Sequence, residues 1–189
     1  MTEAVAVEPP VTLITGDELY TMVGVESCEL IDGRIVPMSP TGFEHGEIEG
    51  SLTAALRAYV RQNRLGYVAT GEVGIYIQRD PDRIRAADVL VIAKNKLPDG
   101  KPRTYLTVAP DLIVEIISPS DSWADLRIKL RDYFAIAVPM VWVVEPATRT
   151  VLVYRSITSV QELGRGDTLH GEGVLDGFSI AVDAIFDQE

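Results

Sequence analysis

The spacing of apolar positions changes along this chain, and each change marks an expected element. Ile48, Leu52, Ala55, Leu56, Tyr59 and Val60 recur at helical spacing on one face. They predict a long helix from roughly Glu44 to Asn63. Unbroken aliphatic runs read differently, as strands buried on both faces of a sheet. Asp88–Ile92, Leu112–Ile117 and Met140–Val144 have this form, and Tyr67–Gln78 and Thr150–Tyr154 read as further strands.

Punctuation between these runs supports the same division. Thr15-Gly16-Asp17-Glu18 has the form of a capping box and predicts a short helix reaching about Val23. Between Cys28 and Pro37, Asp32-Gly33 sits between aliphatic flanks. That dipeptide predicts a hairpin with a type I′ turn, because both central residues need positive φ. Ser118-Pro119-Ser120-Asp121 supplies an N-cap for a helix running to about Ile136, and Val138-Pro139 closes it. The glycines from Gly164 to Gly177 predict a short C-terminal β-meander ending near Ile185-Phe186. The resulting fold class is α/β, with a mixed (α+β) sheet flanked by helices. Residues 12–189 read as one domain behind a loose tail at residues 1–11, since no linker interrupts the pattern.

Bulk properties narrow the function. The chain has 189 residues and a net charge of −11, which argues against a general nucleic-acid coat protein. Any role on DNA therefore calls for a local basic patch or a bound cation. No stretch of ~18 apolar residues predicts a membrane span. Met1–Pro10 has no basic residue, so it does not read as a secretory signal. The single Cys28 excludes an internal disulfide and a thiolate metal cluster, and it suits a reducing cytoplasm.

The candidate chemistry begins at Glu115. Five of the six residues in Leu112–Ile117 are aliphatic, and the sixth is this glutamate. Buried without a partner, its carboxylate would cost several kcal/mol, so a cation is expected beside it. Asp88 opens a second buried strand. If the two strands are neighbours, Asp88 and Glu115 can share a divalent ion through oxygen ligands. A strand-start hydrogen bond for Asp88 and a structural salt bridge for Glu115 are the plainer alternatives.

Asp125, Lys129 and Tyr133 fall on one face of the following helix. Asp125 with Lys129 reads equally as a surface pair four residues apart and as a helix face that brings Lys129 over the carboxylates. Arg57, Arg61 and Arg64 form a stripe on the long helix, while Arg79, Arg83 and Arg85 gather just before Asp88. They suit phosphate contacts and also suit an ordinary solvated surface. His45, alone at the start of the long helix, reads as a structural or capping residue before a ligand, and no histidine pair supports a zinc site. Neither a P-loop nor a nucleophile elbow is present.

These residues carry a family resemblance. Glu29-Leu30-Ile31-Asp32-Gly33-Arg34-Ile35-Val36, Met38-Ser39-Pro40 and His45-Gly46 resemble the opening of the Uma-type restriction-endonuclease family of bacteria. So do Asp88-Val89, Ala109 to Ser120, Lys129 with Tyr133, Val138 to Val144, and Leu175-Asp176-Gly177-Phe178. The resemblance spans about residues 17 to 186. It implies a PD-(D/E)XK nuclease fold with an αβββαβ core. It further implies that Asp88 and Glu115 are the acidic residues of the two metal-binding motifs, with the Ile116 carbonyl as a possible third ligand. Two positions depart from the pattern. Ala87 stands where a proline usually precedes the aspartate, and Ile117 stands where a lysine is expected. Family members that lack that lysine offer one from the next helix, which here is Lys129.

The sequence therefore leads to a metal-dependent DNA endonuclease using Mg²⁺ (or Mn²⁺), with Asp88, Glu115 and Lys129 as its catalytic set. His45 and Tyr133 are secondary candidates, and Arg57, Arg61, Arg64, Arg83 and Arg85 are candidate DNA contacts. A homodimer is expected by analogy with restriction enzymes. The alternative is a silent nucleic-acid-binding or protein-interaction module that keeps the fold. A purely structural oligomer would leave Glu115 unexplained.

Overall fold

A computed structural model describes residues 12–119 and 121–187. The expected tail at residues 1–11 lies outside the described residues, as does Ser120. Helix α1 (Gly16–Thr21) starts on the expected capping box, with Thr15 and Glu18 each bonding the other's backbone N–H. Strands β1 (Cys28–Ile31) and β2 (Arg34–Pro37) form the hairpin. Its turn residues Asp32 and Gly33 have φ of 50° and 74°, as the Asp-Gly signal demanded.

Helix α2 (Phe43–Gln62) buries Ile48, Leu52, Leu56 and Val60 against the sheet. Strands β3 (Gly66–Gln78) and β4 (Arg83–Ala93) form a long antiparallel pair. β5 (Leu112–Ile116) runs antiparallel to β4 and parallel to β6 (Val141–Glu145), with α3 (Trp123–Ala135) crossing between the parallel strands. The order α2, β3, β4, β5, α3, β6 is the αβββαβ core read from sequence.

The C-terminal part divides in a way that the glycine pattern did not reveal. β7 (Thr150–Ser156) and β8 (Ser159–Leu163) extend the main sheet as a hairpin. β9 (Thr168–His170) and β10 (Ser179–Ala181) form a separate two-stranded ribbon, and α4 (Asp183–Phe186) follows. Leu169, Leu175, Phe178 and Ile185 from this region pack onto the α2 face of the sheet.

Three details of the sheet position the site. The main sheet runs β2-β1-β4-β5-β6-β7-β8, and β3 pairs along the other edge of β4. β1 meets β4 at Ile84, while β5 meets it only from Val89 to Val91. β1 and β5 thus share one edge of β4 and fork apart between residues 84 and 89. Opposite the fork, the β3–β4 register slips between Thr70↔Val89 and Val73↔Ala87. Gly71 and Glu72 bulge there with φ of 88° and 60°, facing the single residue Asp88. Such a bulge re-aims the side chains beside it. Val89 and Val91 face α2, whereas Ala87 and Arg85 face the α3 side. Among the described residues, no helix is long and apolar enough to cross a membrane.

Candidate active site

The fork leaves backbone groups without ladder partners, and buried amides must be paired. Two carboxylates take that role. Glu29 of β1 accepts from Ala86 N at 3.0 Å, and Asp88 of β4 accepts from Ile116 N at 2.7 Å. Asp88 is therefore a mid-strand residue, five positions inside β4 rather than at its start. Its Oδ2 is held by the strand that carries Glu115. Its Oδ1 lies 3.6 Å from His45 Nε2 in the first turn of α2, and His45 Nδ1 lies 3.2 Å from Ser118 Oγ. Burial works against a charge on His45. The carboxylates of Asp88, Glu49 and Asp121 overcome it and raise the histidine pKa above its ordinary value.

Successive residues of β5 alternate faces, so Glu115 points to the α3 side. There the expected cation is in place. Lys129 Nζ donates to Glu115 Oε2 at 2.6 Å, and Tyr133 OH donates to Oε1 at 2.6 Å. Lys129 and Tyr133 are four residues apart on α3, which puts both over the same carboxylate. Lys129 also stands 3.6 Å from Glu29 Oε1. Asp125, its expected surface partner, bonds Ser122 instead. Ser122 is also the true N-cap of α3, one residue past the Ser118–Asp121 stretch. Ile117, at the expected lysine position, packs with apolar residues on the α3 face.

Burial pushes the Glu115 pKa up to about 7 against the pull of Lys129, and the charge on Asp88 adds to the rise. Burial also works against a charge on Lys129, but Glu115, Glu29 and Asp88 together raise its pKa above the ordinary lysine value. Tyr133, buried and beside Glu115, is likewise raised and stays a hydrogen-bond donor. In the metal-free protein, the folded state keeps a proton on Glu115 that the unfolded chain sheds from about pH 4.5 upward. That part of the stability is complete below pH 4.5 and is lost as the pH rises through about 7. It amounts to about 3 kcal/mol. A Glu115→Gln variant has no such proton, so it should gain on the wild type by up to this amount across that interval. Denaturant unfolding in chelator at a series of pH values reads the gap directly. A gap that does not change with pH would mean that Glu115 titrates as an ordinary surface glutamate.

The arginines fall in two different places. Arg85 belongs to β4 and is buried, with its guanidinium 2.6 Å from both Glu29 and Asp132. Arg83 bonds Asp132 at 2.7 Å and forks onto Asp32 at 2.7 and 2.9 Å. Arg85 therefore braces β1 against α3 beneath the site, buried away from both the phosphate-contact role and the solvated surface that the sequence suggested. The opposite holds for Arg57 and Arg61, exposed on α2 about 18 and 24 Å along the helix from His45. Arg64 lies beyond the helix end with φ 56°, so it does not continue the stripe. The structure brings none of these three to the carboxylates.

Glu29, Arg85, Glu115 and Lys129 line a cleft of about 240 Å³ whose walls include Met38, Trp123 and Leu126. Glu29 was not among the sequence candidates, although it opens the Glu29–Val36 motif. Its inward turn follows from the pairing of β1 with β4, which no local pattern shows.

A family model described as "Putative restriction endonuclease", Uma2, matches residues 18–183. The chain belongs to the Uma2 family. The extent of the match agrees with the resemblance read from residues 17 to 186. Among solved structures, this Uma2 chain is similar to a crystal structure described as "a putative nuclease belonging to DUF820" from Anabaena variabilis ATCC 29413. The two share 20% identity over 92% of this chain and 97% of the other, with a TM-score of 0.79. That likeness establishes the fold. No curated protein matches the chain in sequence. The family's description is that of a restriction endonuclease, and the carboxylate–lysine cluster stands at the fork of this Uma2 fold.

Proposed function

We propose that the protein is a metal-dependent endonuclease hydrolysing phosphodiester bonds of DNA, with Asp88, Glu115 and Lys129 as its catalytic groups. One observation carries this reading: adjacent positions on β5 bind Asp88 through the Ile116 N–H and Lys129 through Glu115. Two carboxylates and an ammonium so arranged at one strand end suit phosphoryl chemistry.

The donor set suits a hard divalent ion. Asp88 offers Oδ1, and each Glu115 oxygen keeps a lone pair beyond the one that Lys129 or Tyr133 uses. The Ile116 carbonyl shares the strand edge that carries its N–H toward Asp88. Among the described residues no three His, Cys, Asp or Glu side chains form a ready metal group. The remaining ligands would be the backbone carbonyl and water, as Mg²⁺ and Mn²⁺ accept. When bound, the ion would neutralise charge on the scissile phosphate and make a water easier to ionise.

The chain's own groups do the rest. Lys129 stays charged and has three donor hydrogens, so it can hold Glu115 and still contact a phosphate oxygen. Tyr133 fixes the Glu115 carboxylate. Glu29 holds Lys129 from the opposite side, and Arg85 holds Glu29. Cutting both strands of a duplex calls for two such sites, which a homodimer supplies.

The test is a purified protein on supercoiled plasmid. Nicking is expected with Mg²⁺ or Mn²⁺ and is expected to stop in chelator. No nicking with either ion would overturn the reading. A second reading has a specific observation behind it. Lys129 is clamped by both Glu115 and Glu29, so the same cluster can act as a closed ion-pair network. A nuclease fold that binds nucleic acid or protein without cleaving it would then retain plasmid binding and show no nicking.

A further inference from the structure

His45 is buried to more than nine-tenths, yet one of its ring nitrogens has no hydrogen bond. That atom, Nε2, faces Asp88 Oδ1 at 3.6 Å. A neutral imidazole has one N–H and one lone pair. If the proton sits on Nδ1, it is donated to Ser118 Oγ at 3.2 Å, and Nε2 turns a lone pair toward a carboxylate oxygen. Two acceptors then confront each other in a buried place. If the proton sits on Nε2, 3.6 Å is too long for a hydrogen bond to Asp88. Only the Nδ1–H tautomer leaves a lone pair open to a cation between the two atoms; the competing occupant is a proton on Nε2, which makes the ring an imidazolium facing Asp88.

Both atoms are also held from behind. Ser118 orients the ring through Nδ1, as the outer partner of a metal-bound histidine does. The Ile116 N–H fixes the other Asp88 oxygen at 2.7 Å. An ion about 2.0–2.2 Å from a nitrogen and an oxygen holds cis ligands about 3 Å apart, so it fits once the two side chains close by about half an ångström from their 3.6 Å separation.

We propose that His45 is a nitrogen ligand of the divalent-metal site, so that the site takes Mn²⁺ in preference to Mg²⁺. The inference rests on the metal-binding part of the function proposed above. Its chemical basis is that Mg²⁺ is a hard ion that selects oxygen, while an imidazole ligand raises affinity along the first-row transition series. Asp88, the Ile116 carbonyl and water would complete the set.

The experiment uses MnCl₂ as the probe on the full chain. Pulsed electron paramagnetic resonance of bound Mn²⁺ is expected to show the ¹⁴N modulation of a coordinated imidazole, which needs no variant to be read. His45→Ala should abolish that modulation and weaken Mn²⁺ binding by about tenfold or more, while Mg²⁺ binding changes by less than about threefold. Bound Mn²⁺ without ¹⁴N modulation would overturn the inference, and so would the absence of Mn²⁺ binding. The two proposals separate cleanly. Modulation without plasmid nicking keeps His45 as a ligand and removes the nuclease reading, whereas nicking without modulation does the reverse.

Discussion

Replacing Arg85 by methionine should cost about 3–5 kcal/mol of unfolding free energy. The guanidinium is buried and bonds Glu29 and Asp132, each at 2.6 Å. Methionine fills much of the same volume but leaves two buried carboxylates short of a partner. Glu29 would keep only the Ala86 N–H and the longer contact to Lys129. Asp132 would keep Arg83. Glu29 stands on β1, Arg85 on β4 and Asp132 on α3, so the loss falls on the junction of three elements. Denaturant unfolding measures it, with Arg61→Met on the exposed side of α2 as a control expected to stay within about 0.5 kcal/mol of wild type. An Arg85 variant within about 1 kcal/mol of wild type would show that the network does not brace the site.

Lys129→Met should lower plasmid nicking by about 10²–10³-fold, the scale of removing one positioned charge from a transition state. Its effect on stability should be smaller than that of Arg85. The reason is Glu115, whose pKa of about 7 lets it take up a proton once the ammonium is gone. Protonated, Glu115 is a poorer metal ligand, so metal affinity should fall with the rate. Lys129→Arg should not restore the rate, because a planar fork cannot reproduce a compact ammonium lying 2.6 Å from one oxygen. Comparing nicking rates of the three proteins checks this. Equal rates would remove Lys129 from the chemistry and favour the closed ion-pair network.

The parts of this structure that could be read from sequence are those set by local chemistry. The Asp32-Gly33 turn, the Thr15–Glu18 cap, the apolar face of α2 and the aliphatic run of β5 each follow from a short stretch of chain. The parts that could not depend on partners far away in sequence. Arg83 and Arg85 read as a polar surface cluster because their partners, Asp32, Glu29 and Asp132, lie 47 to 56 residues distant. Glu29 escaped notice for the same reason. Asp88 read as a strand start because Arg83-Ile84-Arg85-Ala86-Ala87 is no aliphatic run, and only pairing with β3 and β1 shows it to be strand. Glu115 was legible because a charge among five aliphatics contradicts its surroundings whatever it touches. Lys129 was visible only as one of two equal readings until the crossover of α3 placed it over β5.

If Asp88 and Glu115 form one phosphodiester-cleaving site, cleavage needs both of their charges. The most direct measurement is the nicking rate of Asp88→Asn and Glu115→Gln against the wild type, on supercoiled plasmid with Mg²⁺ or Mn²⁺. Asp88→Asn keeps an acceptor for the Ile116 N–H, whereas Glu115→Gln keeps one oxygen for the two donors Tyr133 and Lys129, so it removes the charge and one of those contacts. Both variants are expected to fall to the rate seen in chelator. Nicking at the wild-type rate in either variant would contradict a shared site.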